Sequence, residues 1–175
     1  MTYTVIERKI KYPRLEFKKG ELFAVVPRGR SYLANALVAK HEQWIIRAFK
    51  KHAQLLSTSS QLEFADRTQK QLEVLVKELM LKASVILQVS ARSVSYRAMI
   101  RRWGSCSMLG DVVLNKRLAF VPDGLIWYVI FHEMCHLRVH AHNKLFNDLM
   151  RSQFSDIKYY KDMLKAYTHA ITERK

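Results

Sequence analysis

An α+β fold is the architecture this 175-residue sequence predicts, on three observations. Strand-like segments are concentrated before residue 30, amphipathic helical stripes dominate the middle, and an apolar helical run leads into a histidine cluster near residue 132. The length suits one domain over 1–175, with a β-rich part over 1–30 and a core over 92–175 that holds the histidines.

The elements follow in order. Tyr3–Val5 and the Ile6/Arg8/Ile10 stretch alternate weakly, as a strand does. Leu15-Glu16-Phe17, the turn Lys18-Lys19-Gly20 and Leu22–Val26 read as a hairpin closed by Pro27. Ser31 is placed to N-cap a helix whose apolar positions are Leu33, Leu37, Trp44, Ile45, Ala48 and Phe49. The polar patch Ser57–Gln61 breaks that pattern, and Asp66 opens a second helix with Leu72, Leu75, Val76, Leu79, Ala83 and Ile86 on one stripe.

Val94, Tyr96, Ala98 and Ile100 then alternate with polar neighbours, the period of a half-buried strand. Leu109-Gly110-Asp111 signals a turn into a second short strand at Val112–Leu114. Pro122-Asp123 marks a helix start whose pattern continues to about Val139. A last helical section, broken near Ser155-Asp156, runs on to the C-terminus.

Composition narrows the class. Hydrophobic residues make up 49% and only five Gly and three Pro occur, so the chain can bury a core and is not a disordered or linker-rich one. Thirty Lys and Arg against fifteen Asp and Glu give +15, a charge that attracts polyanions such as nucleic acid or phosphorylated substrates. The charges are nevertheless spread along the chain in short runs, as on an ordinary solvated surface. Two cysteines, Cys106 and Cys135, make no disulfide framework and point to a reducing compartment. The N-terminus lacks the apolar core of a signal peptide, and no run is long enough to span a bilayer. The expected setting is the cytoplasm, with no membrane contact.

Four of the seven histidines fall between positions 132 and 142. Residues four apart on a helix stack on one face, so His132 and His136 can aim their imidazoles at one point, where zinc accepts nitrogen at about 2.0–2.1 Å. Glu133, one step round the helix, is displaced from that coordination but within reach of a metal-bound water. The pattern His132-Glu133-Met134-Cys135-His136 thus supplies two ligands and a general base on one rigid element. A helix carrying two hydrogen-bonded core histidines would show the same pair. The embedding apolar run and the further histidines favour the metal.

Spacing leaves the third ligand open. His140 lies two turns beyond His132, about 12 Å along the axis of a straight helix. His142 faces the wrong way unless the chain turns between Val139 and Asn143, where no Gly or Pro announces a turn.

His132-Glu133-Met134-Cys135-His136-Leu137, followed by His142 and Phe146, resembles the YgjP-like metallopeptidase domain, a relative of the SprT-like zincins. Arg102-Trp103-Gly104-Ser105-Cys106-Ser107 is similar to a second signature of that family, as is Leu114-Asn115 with Leu118 and Pro122. The likeness extends more loosely to Leu22–Pro27 and the helix containing Trp44. Met134 and Ala141 depart from the family's usual Leu and Asn.

The resemblance implies a zincin-like fold: an N-terminal β-hairpin region, a small sheet and an active-site helix. It implies that His142 is the third zinc ligand beside His132 and His136. Glu133 is then the catalytic base of a zinc-dependent peptidase acting on a peptide or protein. Two other readings keep the zinc: a hydrolase of nucleotides or other phosphorylated compounds, and a DNA-associated SprT-like protease.

For the second oxyanion stabiliser, the sequence offers Arg102, His140, Tyr159 and Tyr160. Cys135 reads as a small buried hydrophobe, Trp103 as a packing anchor and Gly104 as a point of tight backbone approach. The Val112–Leu114 strand is a candidate edge for pairing with an extended peptide.

Overall fold

The computed structural model describes residues 2–173 and is α+β, as the sequence predicts. The chain forms two compact units, Met1–Ser57 and Thr58–Lys175.

The first unit is built on a three-stranded sheet, with β1 (Thr4–Arg8), β2 (Arg14–Lys18) and β3 (Glu21–Pro27) in the order β1-β3-β2. The hairpin expected from Leu15–Val26 is present, antiparallel, with Leu15 opposite Ala24. Its turn needs left-handed backbone at both Lys19 (φ 50°) and Gly20 (φ 84°), which Gly supplies without strain. β1 returns parallel to β3, with Val5 beside Ala24.

The single helix expected from Ser31 to Phe49 is two: α1 (Leu33–Lys40) and α2 (Glu42–Ser60), divided at His41, which leaves helical backbone. The cap is Tyr32 rather than Ser31 and makes no side-chain bond. The polar patch at Ser57 does not end α2, because Ser and Thr cost a helix far less than Gly or Pro. Trp44, expected on the buried stripe, is 40% exposed.

The second unit carries the larger core. α3 (Gln69–Leu87) begins two residues later than Asp66 would place it. Thr68 caps it in a reciprocal box with Gln71, and this pair satisfies the backbone donors that Asp66 leaves alone. Its buried stripe is Leu72, Val76, Met80, Ala83 and Leu87, so Ile86 faces out instead.

A second sheet follows, with β4 (Ser93–Arg97), β5 (Gly104–Cys106) and β6 (Asp111–Asn115) in the order β4-β6-β5. β4 stops at Arg97, short of the alternation that runs on to Ile100. β6 is the central strand, parallel to β4 and antiparallel to β5. Val112–Leu114 is therefore paired on both sides and is not available to a peptide. The edges are β4 and β5, the latter a strand too short for its pattern to be read from sequence.

After a short 3-10 helix (Lys116–Phe120), α4 (Asp123–Arg138) starts where Pro122-Asp123 places it. Leu125, Ile126, Tyr128 through Phe131, and Glu133 through Cys135 are all buried, so α4 is enclosed on nearly every side. α5 (Lys144–Gln153) and α6 (Ile157–Glu173) complete the unit, broken at Phe154–Asp156 as expected. Among the described residues no helix is long and apolar enough to cross a membrane.

Candidate metal centre

α4 ends where the histidine geometry requires. Val139 takes extended backbone (φ −142°, ψ 100°) while its N–H closes the last helical bond to Cys135 O at 2.8 Å. The chain then turns through His140–His142, and Asn143 starts α5 by accepting the Phe146 N–H on its side chain at 3.1 Å. An Asn cap, rather than Gly or Pro, makes the turn. That tight reversal brings His142 back over α4.

His132, His136 and His142 converge. Their ligand atoms all lie within 4.8 Å of one another, and the Nε2 atoms of His132 and His142 are 3.3 Å apart. Two nitrogens held at about 2.0–2.1 Å by a tetrahedral ion would be separated by about 3.3 Å, so the His132–His142 pair already has the spacing of two ligands on one metal ion. Neither Glu133 nor His140 belongs to this convergent group. Of the two histidines that spacing left open, His142 joins the group.

Burial lowers the pKa of His132 to about 3, with the neighbouring charges of His136, His142 and Lys161 adding to it. Burial also lowers His136, against backbone groups of Val139 and His140 that favour its charged form. Neutral imidazoles are the form that binds a metal. The Nδ1 of His132 is buried without a hydrogen-bond partner among the described residues.

A floor for the three rings comes from a residue whose role the sequence did not disclose. Phe146, 2% exposed, sits with its ring centroid 5.0, 4.8 and 4.6 Å from those of His132, His136 and His142. An aromatic three residues after a helix cap reads only as core in the sequence; contact with all three histidines appears only once the turn is folded.

Glu133 is buried at 7% exposure beside the cluster. Burial pushes its pKa up to about 7, and the positive charge of Arg102 opposes the rise. Its space exists because Gly104 has no side chain. A Cβ there would lie 2.7 Å from Glu133 Cγ and 2.8 Å from Oε1. The tight approach expected at Gly104 is thus made by a side chain rather than by backbone.

Trp103 anchors the segment before β5, donating from Nε1 to Leu164 O at 3.2 Å and to Thr168 Oγ1 at 3.1 Å. Buried Asn115 donates from Nδ2 to the carbonyls of Met99 and Arg102, each at 2.7 Å, and accepts from Arg117 N–H on Oδ1 at 3.1 Å. The segment carrying Arg102 and Gly104 is therefore held at both ends.

A cavity of about 380 Å³ opens over the cluster, lined on one side by His132, Glu133, His136, His140 and His142 and on the other by Arg102, β5 and Met108. Of the four residues considered for a second oxyanion stabiliser, Arg102 and His140 line it. Tyr160 instead stacks on Tyr128, with centroids 5.0 Å apart and planes 5° from parallel, and Tyr159 packs edge-on against Tyr160. Cys135 is fully buried with Sγ 3.9 Å from Met150 Sδ, a packing residue as expected. Cys106 lines the cavity, and burial with the nearby Glu133 and Asp111 charges pushes its thiol up to about 11.

The family model of the YgjP-like metallopeptidase domain matches residues 58–167. The chain belongs to this family. The match takes in all three histidines, Glu133, Gly104 and Asn115, and makes the cluster a candidate site for a divalent metal. It does not reach Leu22–Pro27 or Trp44, where the sequence showed a looser likeness.

No curated protein matches the YgjP-like chain. Among solved structures, one that it resembles is the metallopeptidase zymogen of Pyrococcus abyssi abylysin. The two share 20% identity over 51% of this chain and 90% of that one, with a TM-score of 0.47.

Proposed function

We propose that this YgjP-like protein is a zinc-dependent peptidase in which His132, His136 and His142 hold the metal and Glu133 is the general base. The observation that carries the reading is the convergence of three imidazoles beside one buried carboxylate at the foot of an open cavity.

Zinc bound there would lower the pKa of a coordinated water towards about 7 and polarise the scissile carbonyl. The remaining work falls to the chain. Glu133 accepts the water's proton on its carboxylate and returns it to the leaving amine. Gly104 keeps that carboxylate's position free, and Arg102, fixed through its own carbonyl by Asn115, offers a guanidinium to the oxyanion. His140, the other cavity-lining candidate, is exposed as Arg102 is, and remains the alternative donor.

A peptide is favoured as substrate by β5. This strand pairs only with β6, and its three residues line the cavity, so an extended peptide can add to the open edge with its scissile bond over the histidines. The +15 charge keeps nucleotides as the second reading. The free thiols of Cys106 and Cys135 suit a cytoplasmic setting.

A screen of the zinc-loaded protein against unstructured protein, peptides and nucleoside triphosphates tests the proposal. Chelator-sensitive cleavage of peptide bonds is expected. Turnover of triphosphates with peptides untouched would replace the peptidase reading with the nucleotide one.

A further inference from the structure

Residues 1–57 hold twelve Lys and Arg against four Asp and Glu, a net +8, while the other 118 residues hold eighteen against eleven, a net +7. Positive charge is thus about twice as dense in the unit that lies outside the family match, which begins at residue 58.

Sheet topology gathers much of this charge at one end. β1 and β3 run parallel and finish together, with Arg8 beside Pro27, and antiparallel β2 begins at that same end with Arg14 opposite Val25. The segments leaving β1 (residues 9–13) and β3 (residues 28–32) therefore emerge next to each other. Arg8, Lys9, Lys11, Arg14, Arg28 and Arg30 are brought together there, and all six are exposed.

Two aromatic rings stand among them. Tyr12 is 69% exposed and Tyr32 71%, and Lys11 Nζ lies 5.2 Å from the centroid of the Tyr12 ring. The acidic groups at this end are already engaged. Glu7 accepts the Gly29 N–H at 3.0 Å, which fixes the 28–30 segment against β1, and Glu16 pairs with Arg8, Arg14 and Lys18. Among the described residues, Lys9, Lys11, Arg28 and Arg30 form no ion pair.

We propose that this end of the N-terminal sheet binds single-stranded nucleic acid. The guanidinium and ammonium groups take the phosphates, and the two tyrosine rings offer stacking faces to unpaired bases. An anionic membrane would attract the same cations but needs apolar side chains to insert. At this end the exposed large side chains are tyrosines, and the one aliphatic residue, Ile10, is half-buried. The proposal is independent of the metal reading, since none of these residues belongs to the metal site.

Fluorescence anisotropy of a short labelled oligonucleotide with the full-length protein tests it. Binding is expected whose log affinity falls linearly with log salt, by about 0.7 for each phosphate contacted. The pair R28E/R30E should weaken binding at least about tenfold and flatten the salt slope. The pair Y12A/Y32A should weaken it about tenfold or more with the slope unchanged, and Y12F/Y32F should restore it. Reversal at Lys158, an exposed lysine of the second unit, should leave binding as it was. Circular dichroism should be the same for all variants. No binding at low salt overturns the proposal, as does equal loss on reversing Lys158. Attachment to phosphatidylserine vesicles in preference to the oligonucleotide overturns it too.

Discussion

Gly104 on β5 and Glu133 on α4 occupy one another's side-chain space: a Cβ on the glycine would fall 2.7 Å from Glu133 Cγ and 3.0 Å from Cδ. Real Cβ atoms essentially never approach a neighbour that closely, so any other residue at 104 forces Glu133 to move. Because α4 is enclosed by core on nearly every side, the helix cannot retreat and the carboxylate must swing instead.

Gly104→Ala is therefore expected to leave the histidine cluster and its zinc intact while cutting peptide turnover about 100-fold, the typical cost of displacing a catalytic group by an ångström. Metal analysis alongside kcat checks this. Loss of zinc together with activity would mean that Gly104 supports the fold rather than the base.

His142→Ala and His140→Ala separate ligand from bystander. Losing His142 is expected to weaken zinc binding by more than the roughly 10–100-fold that removal of an outer-shell partner costs. His140→Ala is expected to leave metal affinity unchanged, because that side chain lies outside the convergent group. Competition with a chromophoric chelator measures both. A reversed order would return the third-ligand assignment to His140.

Phe146→Ala removes the floor under all three imidazoles and opens a cavity in the core. The expected cost is about 3–5 kcal/mol in urea unfolding of the metal-free protein. Zinc affinity should fall as well, since the rings lose the surface that orients them. Loss of stability with unchanged zinc affinity would show that the rings are oriented by α4 and the turn alone.

These cases mark what the sequence could disclose. His132, Glu133 and His136 were legible because a helix has a fixed period, and that period is local. His142 was not legible from spacing, since its place depends on Val139 leaving the helix and Asn143 capping the next one. Asn143, with Phe146 three residues on, is the signal that could have announced the turn. Gly104 was readable as a close approach but not as a neighbour of Glu133, a contact between residues far apart in the chain. The hairpin at Lys19-Gly20 and the start of α4 at Pro122-Asp123 were fixed by turn and cap chemistry. The division of the first helix at His41, which no breaker residue announces, was not.

Acid sensitivity should report on the turn before β6. Arg92, with help from Ser93 and Ser107, holds the Asp111 carboxyl at about 2, well below its ordinary 3.8. A depressed folded-state value means that this group adds stability above about pH 4 and that the contribution is lost as pH falls through about 2. Asp111→Asn is expected to be less stable than the parent near neutrality and to converge with it in acid. Urea midpoints over that range check the sign; a gap that persists in acid would show that the ion pair is not its source.

Glu133→Gln separates the general base from the metal ligands when zinc content and peptide turnover are measured on the same sample. The amide keeps the shape that Gly104 accommodates and loses the ability to take a proton. One zinc per chain is expected, as in the parent, with hydrolysis reduced about 10²–10⁴-fold. Peptide cleavage at the parent rate by the zinc-loaded variant would contradict the role of Glu133 as the base.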